Sequence, residues 1–160
     1  MRGVSEPGRF TLRDLLAEAR SHFTRMTPQQ AQAEAVAGAL ILDTRQTTDR
    51  WANEVIPGSL HAPRTVLEWV VDPVSGYPNP LITAFDQILI VMCNEGYSSS
   101  LAAYNLQRIG FSRATDMIGG FAGWRAAGLP TQLAQPHEDD VLDGRWPPEP
   151  TAELLQKERS

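Results

Sequence analysis

The feature that most constrains the fold is a set of short apolar segments that alternate with stretches of helical periodicity. The clearest is residues 87–92, in which five consecutive apolar residues follow Gln87. A segment this short and this apolar is typical of a strand buried on both faces of a parallel sheet. Shorter strands are predicted at residues 39–42 and 114–118. Because strands that alternate with helices form βαβ units, the sequence predicts an α/β fold with a parallel sheet.

Capping signals and apolar spacing place the helices between these strands. Thr27, Pro28 and Gln30 mark a helix start, because threonine caps the helix, proline fits the first turn and glutamine completes a capping box. Further elements are predicted as helices at residues 11–20, 64–71, 98–109 and 121–127 and as short strands at residues 22–26 and 59–62. The polar residues 44–57 and the proline-rich residues 72–80 are predicted to be connections.

Composition narrows the class of protein. The chain has 160 residues, 42% of them hydrophobic, which is enough for one domain with a real core. It has no apolar run of about 18 residues and no apolar stretch near its start, so we expect neither a membrane span nor a secretory signal. A net charge of -5 without a basic stripe argues against a nucleic-acid partner. The single cysteine excludes an internal disulfide and suits a reducing cytoplasm, where we expect the protein to be located.

The position of this cysteine, Cys93, between a predicted strand and a predicted helix is typical of an active-site residue. Cys93 follows the predicted central strand and precedes a loop with Gly96 and then a helix. Sites in open parallel sheets gather at the carboxyl ends of strands. A helix beginning at Ser98, with Ser98 or Ser99 as its cap, would direct N–H groups at the loop and lower the thiol pKa. A reactive thiol is the favoured interpretation, and a small buried hydrophobe that ends a strand is the alternative.

Three segments in order resemble the signatures of the rhodanese family. Residues 93–99, Cys-Asn-Glu-Gly-Tyr-Ser-Ser, resemble that family's active-site loop, whose usual form is Cys-x-x-Gly-x-Arg-Ser. Residues 42–45, followed by 54–59, resemble its first signature, and residues 119–130 resemble its closing signature. The resemblance covers about residues 23–131. It implies a three-layer rhodanese-like α/β fold, with a five-stranded, mainly parallel sheet and helices on both faces.

The resemblance also implies a sulfurtransferase. Cys93 would take a sulfane sulfur from a small donor, hold it as a persulfide and pass it to a thiol or similar acceptor, with no metal and no organic cofactor. The residues expected to bind substrate around it are Asn94, Glu95, Gly96, Tyr97, Ser98, Arg45 and Arg64. The alternative is a binding or redox-sensing module of the same fold with low turnover. A phosphatase is disfavoured, because relatives that cleave phosphoesters need a longer loop closed by an arginine.

The loop departs from the family pattern at Ser98, where an arginine often stands. Glu95 adds a negative charge to the same loop, so thiosulfate, a dianion, is expected to be a poor donor. Arg45, Arg50 and Arg64 could supply positive charge from neighbouring loops. Arg45 is otherwise interpreted, with Asp43, as mainly structural, and pairing of His61 with Cys93 is disfavoured.

The chain is expected to have three parts. Residues 1–22 would form an N-terminal helical extension, residues 23–131 the rhodanese-like domain, and residues 132–160 an acidic, proline-containing tail. From residue 131 onward there are seven acidic and three basic side chains. The few, widely spaced apolar residues of the tail predict that it is loosely held and dispensable for the chemistry of Cys93.

Overall fold

The computed structural model describes residues 7–75 and 79–135 of the chain. Helices and short strands alternate along them, as predicted for an α/β protein. The helices are α1 (Leu12–Arg20), α2 (Pro28–Val36), α3 (Thr47–Asn53), α4 (Leu67–Val71), α5 (Ser98–Arg108) and α6 (Gly120–Ala126), with a 3-10 turn at Arg64–Val66. The strands are β1 (Leu40–Asp43), β2 (Leu60–His61), β3 (Leu89–Met92) and β4 (Ala114–Asp116).

The four strands form one parallel sheet in the order β2-β1-β3-β4. The apolar strand β3 is central, as predicted, and Val91 lies opposite Leu42 of β1. Because every strand runs in the same direction, the chain must cross over between neighbours, and the helices make those crossings. The carboxyl ends of β1 and β3 therefore meet at one edge of the sheet.

The resemblance implied five strands, and the sheet has four within the described residues. Residues 22–26, predicted to be a strand, contribute one parallel bridge, from Met26 to Met117 beside β4. Side-chain contacts take the place of a longer ladder here. Thr115 donates its hydroxyl to the Thr24 carbonyl (2.8 Å), and the Arg25 guanidinium turns to Asp116.

The sheet is buried on both faces, which gives the predicted three layers. On one face, residues such as Leu42 and Val91 pack with apolar residues of α4 and α5. On the other face, Ile41 and Ile90 pack with Trp124 and other residues of α2 and α6. Successive residues of a strand point to opposite faces, so strands buried on both sides must be continuously apolar. Each such side chain contributes about 1.5–3 kcal/mol by leaving water.

Residues 44–57 are not simply the predicted connection, because α3 lies within them. Its sequence, Thr-Thr-Asp-Arg-Trp-Ala-Asn, has no apolar stripe, and only Arg50 and Ala52 of its seven residues are strong helix formers. What holds it is a tertiary contact: Arg50 is fully buried, and its guanidinium donates to Asp43 at the end of β1 (2.7 Å). Part of the other predicted connection, residues 76–78, lies outside the described residues.

Both ends of the described chain dock on the domain. Helix α1 packs against α5. At the other end, Gln132 and Val55 exchange two backbone hydrogen bonds (2.8 and 2.9 Å), and Ala134 is buried. The predicted tail lies outside the described residues from residue 136 onward, and the three-part division stays a prediction. Within the described residues, no helix is long and apolar enough to cross a bilayer.

Candidate active site

A pocket of about 490 Å³ opens where β1 and β3 end. Its walls are Thr44, Arg45, Gln46, Asp49, Arg64, Cys93, Asn94, Glu95, Tyr97 and Ser98. The structure therefore brings together the side chains of seven of the eight residues singled out in the sequence. The eighth, Gly96, is buried in the loop and contacts the Cys93 sulfur. The carboxyl edge of a parallel sheet is where such a site is expected.

Cys93 lies at the floor of the pocket, and it is only 8% exposed. The Gly96 N–H donates to its Sγ atom (3.1 Å). Burial, the largest single influence, raises the pKa of the thiol. Hydrogen bonds from Ser99, Ser98 and Gly96 together outweigh burial, so the pKa of Cys93 lies below its ordinary value. A lowered pKa means more thiolate, the nucleophilic form, at neutral pH.

Ser98 and Ser99 were expected to cap α5, and neither does, so that expectation is wrong. Tyr97 occupies the N-cap position, without a side-chain capping bond. The hydroxyls of Ser99 and Ser100 turn instead to the buried carboxylate of Asp116 (2.8 and 2.7 Å). The Ser99 hydroxyl therefore lies between the Asp116 carboxylate and the Cys93 thiolate, and the backbone N–H groups of Ser99 and Gly96 add to the stabilisation of the thiolate.

The first half of the cysteine loop is held by the start of α6. The backbone N–H of Phe121 donates to the Cys93 carbonyl (2.8 Å), and that of Ala122 donates to the Asn94 carbonyl (3.0 Å). Gly120 makes this approach possible, because a Cβ atom there would lie 2.4 Å from the Cys93 carbonyl oxygen. The N–H and C=O of a trans peptide point in opposite directions. With these two carbonyls turned toward α6, the N–H groups of the same peptides point away from it.

The second half of the loop is held from behind by two arginines that the sequence did not reveal. Arg20, at the end of α1, and Arg25, just before the Met26 bridge, both donate to the Gly96 carbonyl (3.0 and 2.8 Å). They are 76 and 71 residues away from Gly96 along the chain, and no local pattern links them to it.

A buried ion-pair network lies behind the β1 wall of the pocket. The Asp43 carboxylate accepts from Arg45 (2.9 Å) and Arg50 (2.7 Å), and all three side chains are fully buried. Burial raises the pKa of Asp43, but the two guanidiniums lower it more, so the carboxyl stays ionised. Arg45 also stacks on Phe121, with its guanidinium carbon 3.8 Å from the ring centre. The positive charges of Arg45 and Arg50 are thus engaged by Asp43, which agrees with a structural role.

Two acidic and two basic side chains line the pocket, and one of the basic ones, Arg45, is buried against Asp43. Arg64 is partly exposed, but it pairs with Glu68 (3.1 Å). Asp49 and Glu95 both line the pocket, and the Asn94 amide lies 3.4 Å from Asp49. Of the arginines suggested as sources of positive charge, only Arg64 keeps a guanidinium that is accessible at the pocket.

His61, the one histidine considered as a partner of Cys93, contacts the backbone of Arg45 instead. The Nε2 atom of His61 is 2.9 Å from the Arg45 carbonyl oxygen, in the buried layer beneath the pocket wall. Over residues 7–75 and 79–135, no group of three His, Cys, Asp or Glu side chains is placed to hold a metal ion.

Relatives of known name match the chain over most of their length. A thiosulfate sulfurtransferase GlpE of Ectopseudomonas mendocina is 35% identical over 119 residues, which are 74% of this chain and 99% of the relative. The protein of the same name from Stutzerimonas stutzeri is 38% identical over 104 residues, which are 64% of this chain and 85% of the relative.

Solved structures and a family model agree with this similarity. A Rhodopseudomonas palustris protein, described as of unknown function and a possible tyrosine phosphatase, superposes with a TM-score of 0.70 at 29% identity, over 81% of this chain and all of that one. The polysulfide-sulfur transferase of Wolinella succinogenes shares the fold, with a TM-score of 0.60 at 20% identity, over 83% of this chain and 97% of that one. The model of the rhodanese-like domain matches residues 27–127. A match over more than half of the chain, together with relatives more than 30% identical, shows that this protein belongs to the rhodanese-like domain family.

Proposed function

We propose that the protein is a rhodanese-type sulfurtransferase that carries sulfane sulfur as a persulfide on Cys93. The observation that carries the proposal is a thiol with a lowered pKa at the floor of a pocket, with a backbone N–H on its sulfur. The thiosulfate sulfurtransferases at 35% and 38% identity support the same class of reaction.

The reaction has two nucleophilic steps. In the first, the Cys93 thiolate attacks the sulfane sulfur of the donor, an S–S bond forms, and the donor remainder leaves with the electron pair of the broken bond. In the second, an acceptor thiolate attacks the outer sulfur of the Cys93 persulfide. The new persulfide leaves on the acceptor, and Cys93 returns as a thiolate. Both forms of Cys93 are anionic, so the same N–H groups stabilise them throughout.

The pocket favours a donor of low charge. Arg64 has the one accessible guanidinium among the residues that line it and is paired with Glu68, while Asp49 and Glu95 add negative charge, so a dianion such as thiosulfate gains little from the pocket. A persulfide or polysulfide presents less charge to these carboxylates. We propose Asn94, Glu95, Tyr97, Ser98 and Arg64 as the side chains that contact donor and acceptor, with the Gly96 N–H on the sulfur. We place the activity in the cytoplasm, where a thiol acceptor stays reduced.

A phosphatase is less well supported by this loop. Phosphate-ester cleavage through a cysteine needs positive charge around the phosphoryl group in the transition state. The helix begins at Ser98, five residues after Cys93, and residues 94–99 contain no arginine or lysine. We therefore do not extend the description "possible tyrosine phosphatase" from the Rhodopseudomonas palustris protein to this chain.

The test of the proposed function is intact-protein mass spectrometry after incubation with a persulfide or polysulfide donor. We expect the mass to increase by one sulfur atom, the increase to disappear on addition of a small thiol, and the sulfur to appear on that thiol. Cys93→Ser is the matched control and should gain no sulfur, since the chain has no other cysteine. Sulfur gained equally by Cys93→Ser would refute the assignment. Sulfur that loads on Cys93 but never reaches a thiol would favour the sensing module.

A further inference from the structure

The Gly96 carbonyl receives two charged hydrogen bonds from outside the pocket. Arg20 Nη2 lies 3.0 Å from this oxygen, and Arg25 Nη2 lies 2.8 Å from it. Neither arginine is among the residues that line the pocket. Gly96 is buried, and its carbonyl oxygen has two lone pairs, so both guanidiniums can donate to it at once.

Both arginines are fixed by further contacts rather than reaching out from the surface. Arg25 forms a two-bond ion pair with Asp116, which is fully buried (2.8 and 3.0 Å). The Arg20 Nε atom donates to the Ser100 hydroxyl (2.9 Å), and Ser100 in turn donates to Asp116. Asp116 thus ties both guanidiniums to the start of α5. Planar guanidiniums held in this way present their remaining N–H groups in a defined direction.

The consequence concerns the peptide between Gly96 and Tyr97. Because its C=O points toward the two arginines, its N–H, which belongs to Tyr97, points the opposite way, away from both guanidiniums. The Gly96 N–H belongs to the preceding peptide and contacts the Cys93 sulfur (3.1 Å), so arginines that fix the Gly96 carbonyl also fix the residue that donates to the sulfur.

We infer that Arg20 and Arg25 are positioning residues, which hold the Gly96–Tyr97 peptide so that the loop presents N–H groups to the sulfur on Cys93. The inference rests on the proposed function, since the sulfur is where that reaction would occur. Both arginines precede residue 27, the first residue that matches the family model. The segment with α1 is therefore a working part of the site. The cysteine loop is thus completed by a part of the chain outside the family match.

The test measures alkylation of Cys93 by iodoacetamide, a neutral probe, as a function of pH in the full chain. The rate rises with pH as the thiolate forms, and we expect its midpoint in the native protein to lie below about 8.5, the value of an ordinary thiol. In Arg20→Met, we expect the midpoint to move upward and the rate at pH 7 to fall roughly threefold, because charge-assisted donation to Gly96 is lost. Asp49, Glu95 and Arg64, the accessible charges at the pocket, are unchanged in this variant.

Three further variants separate positioning from other effects. Arg20→Lys should recover most of the native profile, because an ammonium group can donate to the same carbonyl. Arg20→Gln, which keeps a polar side chain beside Ser100, replaces Arg20→Met if that variant melts early. Arg13→Met is the matched control, since Arg13 is exposed on the same helix, and its profile should match the native one.

The outcomes are distinct from those of the persulfide experiment. A native pH profile in both Arg20→Met and Arg20→Gln, with or without a lower melting temperature, would overturn the inference and leave sulfur loading on Cys93 untouched. An equal shift in Arg13→Met would overturn it as well, because the effect would then be one of general charge. Failure of sulfur loading would refute the proposed function but not the measured effect of Arg20 on the thiol.

Discussion

At the scale of single residues, Ser98 decides the charge of the site. It is exposed at the pocket, in the position where the family loop often has an arginine. Glu95 is exposed on the same loop, and Arg45, which also lines the pocket, has its guanidinium buried against Asp43 and Phe121. The thiolate is stabilised by hydrogen bonds, whereas a charged donor receives little help. Activation of Cys93 therefore depends on hydrogen bonds and selection of the donor on charge, and Ser98 takes part in both.

We predict that Ser98→Arg increases the rate with thiosulfate about tenfold. One unit charge at about 6 Å in an intermediate dielectric contributes roughly 2–3 kcal/mol, and exposure to solvent removes part of it. The measurement is kcat/KM for thiosulfate and for a persulfide donor. Ser98→Gln, a neutral side chain of similar reach, is the control: like Ser98→Arg it lacks the serine hydroxyl beside Cys93, but it adds no charge, so it should not show the gain with thiosulfate. If native protein already uses thiosulfate as well as Ser98→Arg does, loop charge does not select the donor.

At the scale of elements, the start of α6 and the cysteine loop form one unit. Two N–H groups of α6 bind the carbonyls of Cys93 and Asn94, and Gly120 lets the two backbones touch. The closing signature seen in the sequence is thus explained by packing against the first half of the cysteine loop. Within that signature, Gly120 has a positive φ (57°), and a Cβ atom there would collide with the Cys93 carbonyl oxygen.

We predict that Gly120→Ala both destabilises the protein and slows alkylation of Cys93. The left-handed backbone costs about 1–2 kcal/mol for a residue with a Cβ, and displacing the Cys93 carbonyl costs about 1–3 kcal/mol more. Thermal unfolding and iodoacetamide kinetics measure the two effects.

Gly58→Ala is the matched control for this prediction. Gly58 has φ of 78°, but nothing lies within 4 Å of a Cβ atom there. It should therefore show the backbone cost alone and keep native thiol reactivity. Native reactivity in a folded Gly120→Ala protein would show that contact with α6 does not set the geometry of the loop.

At the scale of the whole molecule, residues on both sides of the family match contribute to the domain. The arginines beside α1 hold the loop, and the backbone pairing of Gln132 with Val55 holds the segment after α6. Ala134, only 5% exposed, continues that docking beyond the predicted domain boundary at residue 131. Docking on the domain therefore continues past residue 131, at least as far as Ala134.

We predict that removal of residues 136–160 leaves the melting temperature and Cys93 alkylation close to native values. Removal of residues 132–160 should instead lower the free energy of unfolding by about 1–3 kcal/mol, because two backbone hydrogen bonds worth roughly 0.5–1.5 kcal/mol each are lost. Denaturant titration of the two shortened chains, side by side, measures the difference. Equal stabilities would show that residues 132–135 add nothing, and loss of thiol reactivity in the longer one would show that the acidic tail belongs to the site.

The sequence by itself determined the features that depend on neighbours along the chain. Continuous apolar runs predicted β1 and β3, since only strands buried on both faces need them. Thr27 and Gln30 predicted the start of α2, and the capping box is present. The position of Cys93, after the central strand and before α5, was likewise readable, because the order of elements is written in the chain.

Only the tertiary structure decided the features that depend on packing between distant segments. Helix α3 was missed because it is held by Arg50 on Asp43 and not by local propensity. The hydroxyls of Ser99 and Ser100 donate to Asp116 rather than capping the helix, since hydrogen bonds to a buried carboxylate are charge-assisted. Arg20 and Arg25 reach Gly96 across more than seventy residues. No local pattern encodes such a contact, because it exists only once the sheet, α1 and α5 have packed together.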